Sequence, residues 1–342
     1  MDVINPQPFG VTPEGKQASL YTIRNGNGMQ MSIMNYGAAI KSLIVPSENG
    51  LVDVVLGFDN VEDYVKSIEL PAPPHFGAAI GRWAGRINKG IFSLNGKQYQ
   101  LRKNNGGHSL HGGRFGFSQI VWELKAIHNE TDPSITFSYY SRHGDENFPG
   151  NLNVEVTYIL SEENELIVKY WAEADDDTII NMTQHSYFNL DGHKGSIAEQ
   201  QLMINAGQML ETTEMIPTGK FIDVSQTEFD FRSAKKCPQK IDASFILDKN
   251  KQSAAILTSL KSRLILTVTT DQPSVHIYVG GDCFGKIKGK DGAQYHPLSG
   301  ICFETQNFPD APNHPHFPDP VLKKGETYHQ KTVFKFESIT NE

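Results

Sequence analysis

Short stretches in which apolar and polar residues alternate, or in which apolar residues are continuous, recur along the whole chain. Alternation with a period of two predicts strands, because successive side chains of a strand face opposite sides. The stretches cover residues 29–34, 91–94, 135–140, 152–160, 166–172, 264–269 and 275–279. One short helix is predicted over residues 61–66, directly after a turn at Asp59 and Asn60.

The clearest local prediction is a hairpin in IFSLNGKQYQL, residues 91–101. Asn95 and Gly96 separate two strand-like runs, and both residue types accept the positive φ of a two-residue type I′ turn. No linker, charge block or internal repeat divides the chain, so we predict one domain over residues 1–342. Many short strands with few helices indicate an all-β fold, a large antiparallel β-sandwich with a ligand site on a concave face.

The amino-acid composition excludes several classes of protein. With 38% hydrophobic and 20% charged residues the chain is not disordered, and a net charge of -8 lacks the basic surface that grips nucleic acid. The first residues do not resemble a signal peptide, and no apolar run is long enough to span a membrane. We therefore predict a soluble, cytoplasmic protein without nucleic-acid or membrane partners. Cys237, Cys283 and Cys302 are widely spaced and are predicted to be reduced, structural thiols.

Three segments carry polar residues that simple packing does not require. The first combines GRWAGRI, residues 81–87, with the glycine-rich residues 104–113. Arg82 and Arg86 present forked donors suited to vicinal hydroxyls or a carboxylate, and either could instead tie loops together. Glycines around His111 allow backbone to approach a ligand closely.

The second segment is NMTQHSYFNLDG, residues 181–192, where polar residues occupy both faces of a strand-like run. His185 is the natural general acid here, because the unperturbed pKa of imidazole lies near neutrality. A lone histidine is more often structural. The polar residues next to His185 in the sequence favour a functional role for it.

The third segment is GICFETQNFPDAPNHP, residues 300–315. Glu304 ends an apolar run, so partial desolvation should raise its pKa and make it a stronger base. His314 and His316 flank a proline and suggest a metal, but no third ligand is evident. We therefore predict no metal site.

These segments resemble the signature regions of the aldose 1-epimerase (galactose mutarotase) family. The most specific are SLHGG, T-x-HSYFNL and ETQNFPDAPN, which occur in the family's order, and shared features run from GRWAGRI to Phe336. The resemblance implies a galactose mutarotase-like supersandwich. It also implies an isomerase that interconverts the α and β anomers of free aldohexoses such as galactose and glucose, with no cofactor, as a monomer or weak dimer.

The resemblance also assigns roles to residues of this chain. By motif position His185 is the general acid and Glu304 the general base. Arg86, His111 and Asp242 are expected to contact sugar hydroxyls, and Asp242 rests on a weaker match than the others.

Two positions depart from the family pattern. Gly85 stands where the family usually has asparagine, which removes a side-chain amide contact. His276 stands where glutamine is frequent, and it could either donate to the sugar in its place or point away. Both changes bear on sugar preference more than on the reaction.

Opening a sugar ring requires removal of the anomeric hydroxyl proton and protonation of the ring oxygen, so one acid and one base suffice. Each contributes about 10² to 10⁴ in rate. A glycosidase would instead need paired carboxylates, with Asp242 as the second. A hexose-phosphate epimerase would need a basic cluster, which we do not find in the sequence. A non-catalytic sugar-binding protein would need no base opposite an acid.

Overall fold

Three antiparallel sheets account for most of the structure, a computed structural model that describes residues 6–248 and 250–339. Within these residues there are 28 strands and one α-helix, α1 (Val61–Ser67). Six short 3-10 helices accompany them: Asn88–Gly90, Phe117–Gln119, Asp145–Asn147, Val224–Gln226, Lys290–Gly292 and Ala311–Asn313.

The strands of the first half of the chain are β1 Gln7–Val11, β2 Gln17–Arg24, β3 Gln30–Met34, β4 Ala39–Ser47, β5 Gly50–Asp53, β6 Ala79–Ile80, β7 Arg86–Ile87, β8 Ile91–Leu94, β9 Lys97–Gln100, β10 Ser109–Leu110, β11 Glu123–His128, β12 Ser134–Ser141, β13 Leu152–Leu160 and β14 Glu165–Ala174. Those of the second half are β15 Thr178–Ile179, β16 Thr183–Gln184, β17 Tyr187–Phe188, β18 Gln201–Ile204, β19 Gln208–Thr213, β20 Ile216–Asp223, β21 Lys235–Lys236, β22 Ile241–Ile246, β23 Ala255–Ser259, β24 Leu264–Thr270, β25 Ser274–Gly280, β26 Gly300–Gln306, β27 Val321–Leu322 and β28 Thr327–Ser338.

The largest sheet has nine strands in the order β11-β12-β13-β14-β28-β24-β23-β18-β21. A six-stranded sheet has the order β17-β26-β25-β22-β19-β20, and β1 to β5 form a five-stranded meander. One cluster of buried apolar side chains joins all three, with members on β3, β13 and β25. The predicted all-β, antiparallel sandwich is confirmed, whereas the single domain over residues 1–342 stays a prediction.

Alternation in the sequence sets which face of each strand is buried. In β13 every second side chain, from Leu152 to Leu160, lies in the core. A shift of one residue would expose all of them, so the pattern fixes the register with β12 and β14. All seven predicted strand stretches overlap observed strands.

The two predicted local elements are also present. Leu94 pairs with Lys97, and Asn95 and Gly96 have φ of 52° and 75°, as a type I′ turn requires. Helix α1 begins after Asn60, whose side chain accepts from the Asp63 N–H and caps the helix. No helix in the described part of the chain is long and apolar enough to cross a membrane.

Candidate active site

A cleft of about 290 Å³ opens on the six-stranded sheet, between strands β22, β25 and β26 and the loops around them. The structure places all six sequence-predicted site residues in its lining: Arg86, His111, His185, Asp242, His276 and Glu304. They come from six separate stretches of the chain.

Neighbouring strands of the six-stranded sheet bring one row of side chains to the cleft floor. Ser244 on β22 lies opposite His276 on β25, and His276 lies opposite Glu304 on β26. Directly opposed residues of antiparallel strands share a face, with Cβ atoms about 5 Å apart. The register of three strands thus delivers a hydroxyl, an imidazole and a carboxylate side by side.

His185 reaches the same place from the short connection between strands β16 and β17. Its backbone N–H donates to Ala78 O (2.9 Å), and its carbonyl accepts from the Gly77 N–H (3.0 Å). The polar residues around it are structural: the Asn181 amide donates to Ala84 O, and the Gln184 amide donates to Gly77 O. Polar residues on both faces of this segment therefore lock the backbone that carries His185.

His185 and Glu304 meet at the floor of the cleft. Their Nε2 and Oε1 atoms are 3.5 Å apart, and their side chains are only 4% and 3% exposed. Burial raises the pKa of Glu304 to about 7, although the nearby charge of His276 opposes the shift. The carboxyl group is thus poised to exchange a proton near neutral pH.

The pKa of His185 differs from that of an unperturbed imidazole. Burial, reinforced by His75 and His276, lowers the pKa of His185 to about 3. Its Nδ1 lies 3.6 Å from the sulfur of Cys302. The thiol is a weak hydrogen-bond partner and brings no negative charge that would raise the pKa of His185. Burial therefore favours the neutral form of both the imidazole and the carboxyl group.

His276 faces the cleft rather than away from it. Its Nε2 lies 3.1 Å from the carboxylate of Asp242, and its Nδ1 lies 2.9 Å from the Ser244 hydroxyl. Burial lowers the pKa of His276, but the hydrogen bond and charge of Asp242 outweigh it and raise the pKa overall. For Asp242, burial raises the pKa, but the hydrogen bond and charge of His276 and the charge of Arg86 bring it to about 2. Asp242 and His276 therefore stabilise each other's charged forms.

The two arginines of the first segment have different roles. Arg82 is buried, and its guanidinium donates to Pro149 O and Gly150 O and to the Ser141 hydroxyl. Arg86 lines the cleft, and its Nε donates to Asn105 Oδ1 (3.1 Å). Arg82 is thus a structural residue, and only Arg86 is available to a ligand.

The loop around His111 is shaped by backbone packing. His111 itself has φ of 52°, and its Nδ1 accepts from the Gly85 N–H (3.3 Å). Gly112 is required because a Cβ there would lie 2.0 Å from the carbonyl of Gly81. Glycine at this point allows close approach to the chain's own backbone, and the approach of backbone to a ligand stays a prediction.

Gly85 contributes through its backbone, whereas the family usually has an asparagine side chain here. It has φ of 77°, and a Cβ would lie 3.0 Å from Pro309 Cγ. Any side chain at this position would therefore crowd Pro309.

Several cleft residues were missed in the sequence. Ser244, Tyr278 and Gln306 lie two positions after Asp242, His276 and Glu304 on the same strands, so strand alternation could have identified them. Gln306 Oε1 and Glu304 Oε2 are buried acceptors with no hydrogen-bond partner among the described residues. Such atoms suit the hydroxyl donors of a ligand. Met215 lines the cleft from a hairpin turn, for which no sequence signal exists.

The same residues offer a possible cation site that the sequence did not predict. His111, His185 and Glu304 each provide one ligand atom, and these atoms lie within 4.8 Å of one another. His314 and His316, the pair weighed in the sequence, lie elsewhere: His314 Nε2 is 3.4 Å from Asp310, and His316 Nε2 is 2.7 Å from Gly219 O.

Known proteins share the sequence and fold of this chain. The family model for aldose 1-epimerase matches residues 19–335. A galactose mutarotase of Bos taurus is 41% identical over 341 residues, which cover 96% of this chain and 97% of the relative. An aldose 1-epimerase of Haemophilus influenzae is 37% identical over 345 residues, covering 95% and 97%. The crystal structure of a GalM/aldose epimerase homologue from C. elegans superposes with a TM-score of 0.87 at 32% identity, covering 94% of this chain and 100% of that one. The chain therefore belongs to the aldose 1-epimerase family and is an isomerase.

Proposed function

We propose that this protein interconverts the α and β anomers of free hexoses, with His185 as general acid and Glu304 as general base. The observation that carries the proposal is the 3.5 Å separation of His185 Nε2 and Glu304 Oε1 at a buried cleft floor. The two oxygens that must exchange protons, the anomeric hydroxyl and the ring oxygen, are bonded to one carbon. An acid and a base that serve both must lie side by side.

The proton balance uses a single proton on the pair. Glu304 removes the proton of the anomeric hydroxyl while the His185 imidazolium protonates the ring oxygen. The bond between C1 and the ring oxygen breaks, and a C1 carbonyl forms. After rotation about C1–C2, neutral His185 takes the proton from the attacking hydroxyl and Glu304 returns its proton to the carbonyl oxygen.

This balance explains how a histidine of low pKa can serve as the acid. The pair shares one proton, which moves between the two groups through the sugar, so the state of the pair matters more than either pKa. The active pair carries one proton between pH values of about 3 and about 7. Turnover should therefore decline as the pH rises above about 7.

The remaining polar groups are suited to holding the rest of the sugar. Arg86, His111 and the Asp242–His276 pair surround the floor and offer donors and acceptors for hydroxyls. The name of the bovine relative supports galactose as one substrate. The second carboxylate of the cleft, Asp242, is bound to His276, which makes it a poor partner for Glu304 in glycoside hydrolysis.

The decisive experiment compares Glu304→Gln and His185→Asn with the unaltered protein in polarimetry of fresh α-galactose and α-glucose. Each variant should lose about 10² to 10⁴ in kcat, since each removes one proton-transfer group, while sugar binding by calorimetry persists. Glu130→Gln and His128→Asn, at exposed positions outside the cleft, are matched controls.

Unchanged kcat in Glu304→Gln would refute the proposal. Loss of sugar binding together with turnover would instead point to a structural role. A non-catalytic binding protein would leave the polarimetric rate at that of buffer alone, and a glycosidase would release sugar from an aryl glycoside. The cytoplasmic location and the monomeric or weakly dimeric state stay predictions from the sequence.

A further inference from the structure

A two-residue hairpin tip stands at the rim of the cleft. Strands β19 and β20 pair up to Thr213 and Ile216, which leaves only Glu214 and Met215 to make the turn. The ladder that joins β19 to β22 ends at Met209, so among the described pairings the tip is held only by its own hairpin. The tip therefore projects from the sheet that carries Asp242, His276 and Glu304.

The residues at this tip do not suit the turn they make. Glu214 and Met215 have φ of 51° and 65°, so both lie in the left-handed region of a type I′ turn. Asparagine and glycine favour these positions, whereas larger side chains adopt them only when the surroundings compel it. Contrast Asn95 and Gly96, which make the same kind of turn with the preferred residues.

The two side chains of the tip face different spaces. Met215 lines the sugar cleft, together with Pro217 and Pro309. Glu214 lines a separate groove, together with Lys89 and Lys103. Met215 is 50% exposed, which is unusual for a large apolar side chain. Backbone strain held at a ligand site commonly marks a positioned functional group.

The placement of the acid and base decides which part of a sugar Met215 would meet. His185 and Glu304 lie at the buried floor, so the anomeric carbon C1 must point downward. C4 lies across a pyranose ring from C1 and therefore points to the mouth. Met215, Pro217 and Pro309 are apolar residues of the cleft lining, and apolar side chains suit the C–H surface of that edge.

We propose that Met215 is a substrate-contacting residue that packs on the C3–C4 edge of the bound hexose and sets its affinity at the cost of a strained turn. This inference rests on the proposed function, because that function defines which end of the sugar lies at the floor. The contact is the same before and during ring opening. It should therefore affect KM and not kcat.

Three variants separate the side chain from the turn. Met215→Gly supplies the residue the turn prefers but removes the apolar side chain. Glu214→Asn relaxes the neighbouring position and keeps Met215. Met215→Leu keeps an apolar side chain of similar size. Each is measured by polarimetry on galactose and glucose, by calorimetric sugar binding and by thermal unfolding.

Met215→Gly should raise KM about three- to tenfold with kcat within twofold, while Tm rises by roughly 1–3 °C. Glu214→Asn should raise Tm similarly with KM unchanged, and Met215→Leu should keep KM near that of the unaltered protein. An unchanged KM in Met215→Gly overturns the inference, and so does an equal rise in Glu214→Asn, which would assign the effect to the turn. Should the unaltered protein lack turnover, the proposed function fails, and the sugar Kd of Met215→Gly still tests the contact.

Discussion

Replacing His276 by glutamine should move the pH range over which the enzyme works. His276 lies directly across the sheet from Glu304, and its positive charge lowers the pKa that burial has raised. Opposed side chains on neighbouring strands place the two charges about 6 Å apart. At an effective dielectric constant of about 20 they interact by about 2.8 kcal/mol, equivalent to about 2 pKa units.

Solvent in the open cleft screens part of this interaction, so we expect the pKa of Glu304 to rise by at least about 1 unit in His276→Gln. The pair with His185 would then keep its single proton to a higher pH. The decline of kcat/KM, which reports the free enzyme, should shift from a midpoint near 7 to a midpoint near 8 or above. The direction is upward because loss of a nearby cation favours the neutral carboxyl group.

The assay is polarimetry of fresh α-galactose between pH 5 and 9, with the rate in buffer alone subtracted at each pH. His128→Gln, at an exposed position on β11, serves as the control and should leave the midpoint in place. A midpoint in His276→Gln that stays or falls would refute the electrostatic argument. A decline that disappears altogether would show that His276, and not Glu304, carries the titration.

Three further predictions follow from the packing and the ligand atoms of the site. Arg82→Met should lower the free energy of unfolding by about 3–5 kcal/mol, because it leaves several buried carbonyls without donors. The control Arg114→Met, at an exposed position, should lower it by less than about 1 kcal/mol. Urea denaturation measures both. Gly112→Ala should prevent folding or lower Tm severely, because the added Cβ would meet the Gly81 carbonyl. The control Gly96→Ala has open space around it and should lower the free energy of unfolding by only about 1 kcal/mol. Thermal melts followed by circular dichroism compare the two variants. EDTA should leave turnover unchanged, because the acid and base need no Lewis acid. Excess Zn²⁺ should inhibit turnover in competition with the sugar, because the ion would occupy His111, His185 and Glu304. Initial rates at several sugar concentrations test both predictions.

Much of the fold could be predicted because the strand pattern is local. Period-two alternation and the Asn95-Gly96 turn each follow from neighbouring residues, and both are present in the structure. The order of strands in the sheets could not be predicted. β28 lies between β14 and β24, which come from distant parts of the chain, and no local pattern encodes such a pairing.

The residues of the site could be predicted from the sequence, but their pKa values and ion pairs could not. Family motifs located His185 and Glu304, and their juxtaposition depends on the registers of separate strands. The low pKa of His185 follows from burial beside other histidines, which the sequence does not reveal. The contact between His276 and Asp242 likewise depends on two strands meeting in one register.

The central position of β28 has a consequence for synthesis of the protein. Its neighbours β14 and β24 are both made earlier, and until β28 leaves the ribosome the other eight strands of the sheet form two separate groups of four. Each group then exposes an unpaired strand edge to other chains. Closure of the sandwich must therefore wait for translation of the last described strand, and chaperone protection during that interval should matter more than for a protein whose sheets grow in chain order.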